Sequence, residues 1–185
     1  LLETQSWRIA NWRVASDEIN YRRFFDINDL AGLRMEDNHV FEATHQLALE
    51  LVAEGKVDGL RIDHPDGLYD PLQYFQRLQD RAALRSPPTE GEKAVYIVAE
   101  KILASHESLR EDWAIHGTTG YDFCNLVNGL FVDPRARTTL ERTYRSFTHI
   151  RPDFEELVYR SKHQIMKHAM ASELNVMAGQ LSRIC

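Results

Sequence analysis

The chain has 185 residues, of which 43% are hydrophobic and 27% charged, and its formal net charge at pH 7 is -6. This length and composition suffice for one buried core and exclude an intrinsically disordered protein. The excess of acidic residues argues against a nucleic-acid binder, which needs clustered Lys and Arg. No apolar run approaches the roughly 20 residues that a membrane helix needs.

The N-terminus and the cysteines bear on the origin of the chain. The first residue is Leu1 rather than Met, and no signal-peptide pattern follows, so we expect a segment of a longer protein. Cys124 and Cys185 are the only cysteines and lack metal-type spacing. Two such cysteines in an acidic chain favour reduced thiols and a cytoplasmic location.

The first third of the chain predicts helix and loop. Residues 1–15 place apolar side chains among polar ones and favour a helix, whereas residues 20–29 are first aromatic and extended and then turn-rich. Asp37 or Asn38 can cap a second helix, whose apolar positions keep a helical period to about Glu54.

Two short strands flank the next helix. Residues 57–63 are a short stretch bounded by Gly55 and Pro65, which predicts a strand. Residues 94–100 are β-branched and apolar up to the last residue, which predicts a second strand. Between them, Pro71 can start a helix with a buried apolar stripe, and residues 86–91 form a loop. The order strand, helix, strand predicts a parallel sheet.

The C-terminal third favours helices. Residues 117–120 predict a loop, residues 134–147 a helix, and an amphipathic stretch runs from Pro152 to about Ile184. No clear third strand is predicted. Two strands cannot close a barrel, so either partner strands are missing or the sheet is small and open.

Both predicted strands end in an acid. Because strand residues alternate sides, Arg61 and Asp63 share one face of the first strand, and Glu100 ends the second. In parallel α/β barrels the catalytic groups lie at the C-terminal ends of the strands. We therefore expect Asp63 and Glu100 to meet there, although a strand-end acid is also commonly a solvated end or a helix cap.

Two facing acids suit glycosidic chemistry. Retaining enzymes hold them about 5 to 5.5 Å apart, one as the nucleophile and the other as the acid and then the base. Arg61 would supply a fixed positive charge beside Asp63. Asp63, His64 and Asp66 also contain metal-ligand atoms, but a metal needs more ligands of defined geometry, so neither a metal nor a cofactor is predicted.

Five segments of the sequence carry a family resemblance. Gly59–Asp63 looks like the nucleophile segment of the α-amylase superfamily, and Val98–Lys101 lies where that superfamily carries its acid/base Glu. Three longer blocks resemble the maltooligosyl trehalose synthase family in particular: Asn20–Arg34, Asp63–Leu68 and Gly117–Phe123.

The resemblance implies a fold. The fold class would be α/β, a partial (β/α)8 TIM-type barrel that supplies central strands and carries helix-rich insertions. Residues 1–185 would be an internal part of one catalytic barrel domain. Within it, residues 1–56 would form a helical and loop insertion, residues 57–116 the βαβ unit with both acids, and residues 117–185 a helical insertion.

The resemblance also implies an activity. The reducing-end α-1,4 linkage of a maltooligosaccharide would be converted to an α,α-1,1 linkage by a retaining, intramolecular glucosyl transfer. Asp63 would be the nucleophile, Glu100 the acid/base, and Arg61 would orient and charge the site. The same family would place His64 and Asp66 near the sugar. Tyr21 and Arg22 could line a sugar groove by stacking and hydrogen bonding, or they could belong to a packed edge.

The sequence departs from the superfamily pattern in two ways. Asp66 and Gly67 occupy the positions where many members have Lys-His, and no later strand-ending His-Asp pair supplies a second, stabilising Asp. We therefore expect the isolated chain to be inactive. We also expect it to self-associate through exposed strand edges.

Two other functions remain open at this stage. One is an α-glucan hydrolase or intermolecular transglycosylase that uses the same acids. The other is a non-catalytic carbohydrate-binding or assembly module, whose binding would survive loss of both Asp63 and Glu100.

Overall fold

The computed structural model describes residues 2–5, 7–150 and 153–185. They form two compact units: Leu1–Gly32 with Thr138–Cys185, and Leu33–Arg137. Within these described ranges, no helix is long and apolar enough to cross a membrane.

The elements are named here in chain order. The strands are β1 Arg23–Phe24, β2 Ile27–Ala31, β3 Gly59–Ile62, β4 Tyr96–Ala99 and β5 Gly117–Thr118. The α-helices are α1 Ala15–Glu18, α2 Asn38–Ala53, α3 Pro71–Arg85, α4 Tyr121–Gly129, α5 Arg137–Thr148, α6 Phe154–His168 and α7 Ala171–Ile184. Short 3-10 turns lie at Leu2–Thr4, Trp12–Val14, Pro65–Gly67 and Pro134–Ala136.

The second unit is built on a parallel sheet, which confirms the predicted mixture of helices with parallel strands. Its strand order is β3-β4-β5, and both strand pairs are parallel. Ile97 and Ala99 of β4 are fully buried, and Leu60 and Ile62 of β3 pack on the same core. The alternate residues, Arg61 among them, therefore lie on the opposite face.

Two of the helices of this unit, α2 and α3, begin at local capping residues. Asp37 accepts a hydrogen bond from the backbone N–H of His39 at the start of α2. Asp70 accepts one from Gln73 at the start of α3, where Pro71 occupies the first helical position. These caps satisfy backbone donors that a helix leaves unpaired, so both boundaries are fixed locally.

A buried amide ties α3 to the sheet. The side chain of Gln79 donates to the carbonyl oxygens of Val95 and Ala114, at 2.9 Å each, and accepts from the N–H of Val95 at 3.0 Å. Buried polar groups need such partners, because an unpaired one loses its hydration without compensation. This amide therefore anchors the residue before β4 to helix α3.

His45, a residue of α2 that contacts α3, makes the stability of this unit pH-dependent. The ring of His45 is 2.7 Å from the hydroxyl of Tyr74 through Nε2 and 3.0 Å from the carbonyl of Phe41 through Nδ1. Burial lowers the pKa of His45 below its ordinary value of 6.5. The neutral ring therefore contributes fully to the free energy of unfolding above a pH of about 6.5. This contribution is lost as the pH falls through the lower pKa that His45 has in the folded state.

We expect the free energy of unfolding to fall less between pH 7 and pH 5 in the variant His45→Gln than in the parent protein, because the variant lacks the buried group that must be protonated. Urea titrations of both proteins at several pH values measure this. His39→Gln, in which an exposed histidine of the same helix is replaced, serves as the control. Parallel pH curves for the parent protein and His45→Gln would contradict the prediction.

The first unit consists of a hairpin and helices. Strands β1 and β2 pair antiparallel. Arg23 of β1 has a buried side chain. Its guanidinium donates to Glu173 of α7 through Nε and Nη2, at 2.7 and 2.8 Å. It also donates to Asn28 and to the carbonyl oxygens of Asp26 and Ala169. One side chain thus links the hairpin to the C-terminal helices.

Several predicted elements are wrong. The helix predicted over residues 1–15 is absent from the described part of that range, which holds 3-10 turns instead. Trp7, Ile9 and Trp12 are exposed there, so no buried face stabilises a helix. The turn predicted at the end of residues 20–29 is also partly wrong, because its last residues belong to strand β2.

The tail also differs from its prediction. A third strand exists in the sheet, since β5 pairs with β4. It escapes prediction because it is only two residues long and lacks an apolar run. The stretch predicted to end at about Ile184 is two helices, α6 and α7. Leu1, Ser6 and Pro152, which fall in predicted helices, lie outside the described residues.

Candidate active site

Asp63 and Glu100 follow adjacent parallel strands. In the register of β3 and β4, Ile62 is paired with Ala99, so the residue after each strand is an acid at the same edge. The N–H of Glu100 donates to the carbonyl of Ile62 at 2.8 Å, which extends the pairing by one step. The ends of these strands thus place Asp63 and Glu100 at one edge of the sheet.

Arg61 lies beside Asp63 on the same face of β3. Its Nε donates to Oδ1 of Asp63 at 2.6 Å. This hydrogen bond, followed by the charge of Asp63, raises the pKa of Arg61 above its ordinary value, and the charge of Glu100 acts in the same direction. The guanidinium therefore stays charged beside both acids.

His64 connects the two strand ends. Its backbone N–H donates to Oε2 of Glu100 at 3.1 Å. The residue has left-handed dihedral angles, φ 52° and ψ 45°, which a residue with a Cβ adopts at an energetic cost. Pro65 follows, and strand β3 cannot continue. The sharp turn aims the His64 amide at the neighbouring strand.

The ring of His64 occupies the space above Gly67. A Cβ at Gly67 would lie 2.6 Å from Cδ2 and 2.8 Å from Nε2 of this ring. A side chain at position 67 therefore fits only if the His64 ring turns away from this place.

Tyr121, the first residue of α4, completes the surroundings of Glu100. Its hydroxyl donates to Oε1 of Glu100 at 3.1 Å. Each oxygen of the Glu100 carboxylate thus accepts one hydrogen bond, from Tyr121 and from His64. Gly120, with φ 91°, provides the left-handed turn through which the chain enters α4.

The contact predicts how Tyr121 titrates. The hydrogen bond to Glu100 and the charge of that carboxylate raise the pKa of Tyr121 above its ordinary value of 10.0. In the variant Glu100→Gln we expect the pKa of Tyr121 to fall toward that ordinary value, because the negative charge is gone. Carbon-13 NMR of ring-labelled tyrosine measures this, with Glu111→Gln as the control. An unchanged titration in Glu100→Gln would show that the contact is absent in solution.

Asp66 is held by a neighbouring lysine. Nζ of Lys101 lies 3.0 Å from Oδ2 of Asp66 and 2.7 Å from Oε1 of Glu107. The hydrogen bond to Glu107 is the main factor that raises the pKa of Lys101, and the same contact lowers the pKa of Glu107. Asp66 is thus an ion-pair partner, with its side chain half exposed.

The remaining predicted site residues belong to the other unit. Tyr21 and Arg22 belong to the first unit, whereas both acids belong to the second. The Tyr21 hydroxyl donates to the carbonyl of Asn28 at 2.7 Å, and the carbonyl of Arg22 accepts from Gly32. Both side chains are exposed, so they remain available to a ligand.

The sequence alone does not identify Tyr121 or Lys101 as site residues, although both stand inside the segments that carry the family resemblance. Their contacts with Glu100 and Asp66 depend on how the two loops fold. The signal in the sequence is Gly120: strand β5 ends two residues before it, and its left-handed turn starts α4 with Tyr121 at that edge of the sheet.

The arrangement offers two carboxylates, one fixed cation and one phenol to a ligand at the edge of the sheet. The side chains of Arg61 and Asp63 are 56% and 61% exposed, so a ligand can reach them. In the described ranges, no three His, Cys, Asp or Glu side chains are grouped to hold a metal ion. Such a set supports acid/base and nucleophilic chemistry on a neutral, oxygen-rich ligand.

Comparisons with known proteins point to one family. No protein-family model matches the chain. A Mycobacterium tuberculosis protein assigned as a maltooligosyl trehalose synthase is 37% identical over 172 residues, 93% of this chain and 21% of the relative. The maltooligosyltrehalose synthase structure from Arthrobacter ramosus superimposes with a TM-score of 0.87 at 35% identity, over 100% of this chain and 23% of that one.

A second structure agrees with these. That of a hypothetical maltooligosyl trehalose synthase from Sulfolobus tokodaii gives a TM-score of 0.77 at 35% identity, over 98% of this chain and 23% of that one. The chain thus spans about a fifth of the length of the curated relatives it matches.

Proposed function

Because this chain belongs to the maltooligosyl trehalose synthase family, we propose that it carries the two reacting carboxylates of an isomerase acting on maltooligosaccharides. The reaction converts the reducing-end α-1,4 linkage into an α,α-1,1 linkage without a cofactor. The observation that carries the proposal is the placement of Asp63 and Glu100 at one edge of the sheet, with Arg61 bonded to the first acid.

The proposed reaction is a double displacement. The Asp63 carboxylate attacks the anomeric carbon of the penultimate sugar, while Glu100 gives its proton to the departing O4 of the terminal glucose. The freed glucose turns within the site. Its anomeric hydroxyl then attacks the glycosyl-enzyme bond, Glu100 takes the proton, and Asp63 leaves as the carboxylate. Two inversions at one carbon return the α configuration.

This chemistry requires that water be excluded, since a water molecule would otherwise hydrolyse the glycosyl-enzyme. The exposure of Arg61 and Asp63 shows that the described residues do not exclude it. Leu130 and Phe131 after α4 are also 81% and 85% exposed, a large apolar surface for a folded chain. We propose that the parallel sheet belongs to a (β/α)8 barrel whose other parts cover these surfaces, and that the isolated chain is inactive.

Maltopentaose incubated with the full-length protein tests the function. Isomerisation removes reducing ends, whereas hydrolysis adds them, so one reducing-sugar assay separates the two outcomes. The isolated chain, assayed in parallel, is expected to do neither. A gain of reducing ends with the full-length protein would replace the isomerase by a hydrolase.

The open site supports the hydrolase as the second candidate, because Asp63 is accessible to water. A non-catalytic binding module would instead bind maltopentaose without changing the number of reducing ends. Isothermal titration of the full-length parent protein, set beside the reducing-sugar assay, decides this point.

The two cysteines support the cytoplasmic location that we propose. Cys124 and Cys185 are both exposed free thiols. Free thiols persist where the compartment is reducing.

An open strand edge predicts self-association of the isolated chain. Within the described residues β3 pairs with β4 alone, so its other edge presents unpaired backbone groups. We expect sedimentation velocity to show a mass that rises with concentration. Because the carbonyl of Ile62 faces β4 and backbone groups alternate sides along a strand, the N–H of Arg61 faces the open edge. The substitution Arg61→Pro removes that donor and tests whether this edge is responsible. A single monomeric species at high concentration would contradict the prediction.

A further inference from the structure

Lys101, the residue after Glu100, joins two loops through its ammonium group. Asp66, which it contacts, lies on the loop after β3, and Glu107 lies farther along the loop after β4. The Lys101 side chain is only 13% exposed. A cation so far removed from water is costly unless it is paired, and here two carboxylates neutralise it.

We infer that Lys101 is a positioning residue: it fixes the loop after β3 to the loop after β4 and thereby sets how Glu100 faces Asp63. The inference rests on the proposed function, since it assigns a role in that reaction. Lys101 is not itself assigned a contact with the sugar.

The contacts form a closed ring. Glu100 accepts the N–H of His64 at 3.1 Å, Asp66 follows two residues later, and the ion pair of Asp66 with Lys101 returns to the residue next to Glu100. Neither loop can move without breaking the hydrogen bond or the ion pair. The loop after β3 is therefore held both by the hydrogen bond at His64 and by the ion pair at Asp66, and loss of Lys101 opens the ring.

Charge makes the effect of losing Lys101 larger than one deleted contact. Asp66 and Glu107 approach the same ammonium group, so its removal leaves two like charges close together, which repel. Glu107 is anchored in its own loop, because it also accepts the N–H of Ala104 at 3.2 Å. The loop of Asp66 is then the part that moves, and it carries the His64 amide with it.

The first arm of the test measures steady-state kinetics of the full-length protein at a temperature where every variant is folded. Lys101→Met is expected to lower kcat on the order of 10²-fold with little change in KM, because a displacement of about 1 Å in a reacting group has that cost. Lys101→Arg keeps the charge and should restore part of kcat. Lys56→Met removes an exposed, paired lysine as the matched control.

Asp66 provides the second variant. Asp66→Asn should lower kcat as Lys101→Met does, and the double variant should be no slower than either single one, because both break the same bridge. If Asp66 instead contacts the sugar, Asp66→Asn raises KM and leaves kcat unchanged, which would overturn the inference. A kcat of folded Lys101→Met equal to that of Lys56→Met would overturn it too.

The second arm does not depend on activity. Amide hydrogen exchange at His64 should be faster in Lys101→Met than in the parent protein and unchanged in Lys56→Met. If the parent protein removes no reducing ends, the proposed function fails, and this arm still decides whether the bridge holds the His64 amide. Unaltered exchange in Lys101→Met would refute the positioning role.

Discussion

Replacing Asp63 by Asn in the full-length protein is expected to lower kcat for the loss of reducing ends by at least about 10⁴-fold, because an amide cannot form the glycosyl-enzyme bond. Glu100→Gln should cost about 10²- to 10⁴-fold, since the departing oxygen then leaves without a proton. Steady-state kinetics with maltopentaose measure both. KM should change far less than kcat, because neither substitution alters the size of the side chain.

The matched control is Asp58→Asn. Asp58 is an exposed aspartate directly before β3, at the opposite end of the strand from Asp63. It should retain the parent rate. Normal formation of the α,α-1,1 product by Asp63→Asn would show that the nucleophile lies elsewhere, whatever the fate of Asp58→Asn.

The second large effect is on stability. Arg23→Met is expected to lower the free energy of unfolding by about 3 kcal/mol, the lower end of the range for breaking a buried ion pair. The Arg23 side chain is 2% exposed and that of Glu173 is 22% exposed, so the carboxylate left behind regains only part of its hydration. Urea titration followed by far-ultraviolet circular dichroism measures the loss.

Arg160→Met is the control for this experiment. Arg160 pairs with Glu156 four residues earlier on an exposed face of α6, and its loss should leave the unfolding free energy within error. Arg23 directly follows Tyr21 and Arg22, the residues predicted to line a sugar groove. If Arg23→Met kept full stability and weakened maltooligosaccharide binding, the groove assignment would be correct and the buried network would be of no energetic importance.

The sequence predicts those elements of the fold whose causes are local. Helix α2 begins directly after Asp37, which caps it as predicted, and helix α3 begins at the predicted Pro71. Strands β3 and β4 follow from short segments between turn formers, and the alternation of side chains places Arg61 next to Asp63 as observed.

What escapes prediction depends on contacts between distant residues. Strand β5 forms because the N–H of His116 donates to the carbonyl of Ile97 at 2.7 Å, and no local pattern indicates this. Arg23 and Glu173 are 150 residues apart. The contact of Lys101 with Asp66 requires the turn at His64, whose dihedral angles cannot be read from the residue type.

The fit of the His64 ring against Gly67 also constrains how this loop can diversify. Any side chain at position 67 collides with the imidazole, so substitutions at positions 64 and 67 are epistatic: a larger residue at 67 is tolerated only once 64 has become smaller or its ring has turned away. Among natural homologues the two positions should covary. A mutant library that randomises them one at a time would discard combinations that a joint library recovers.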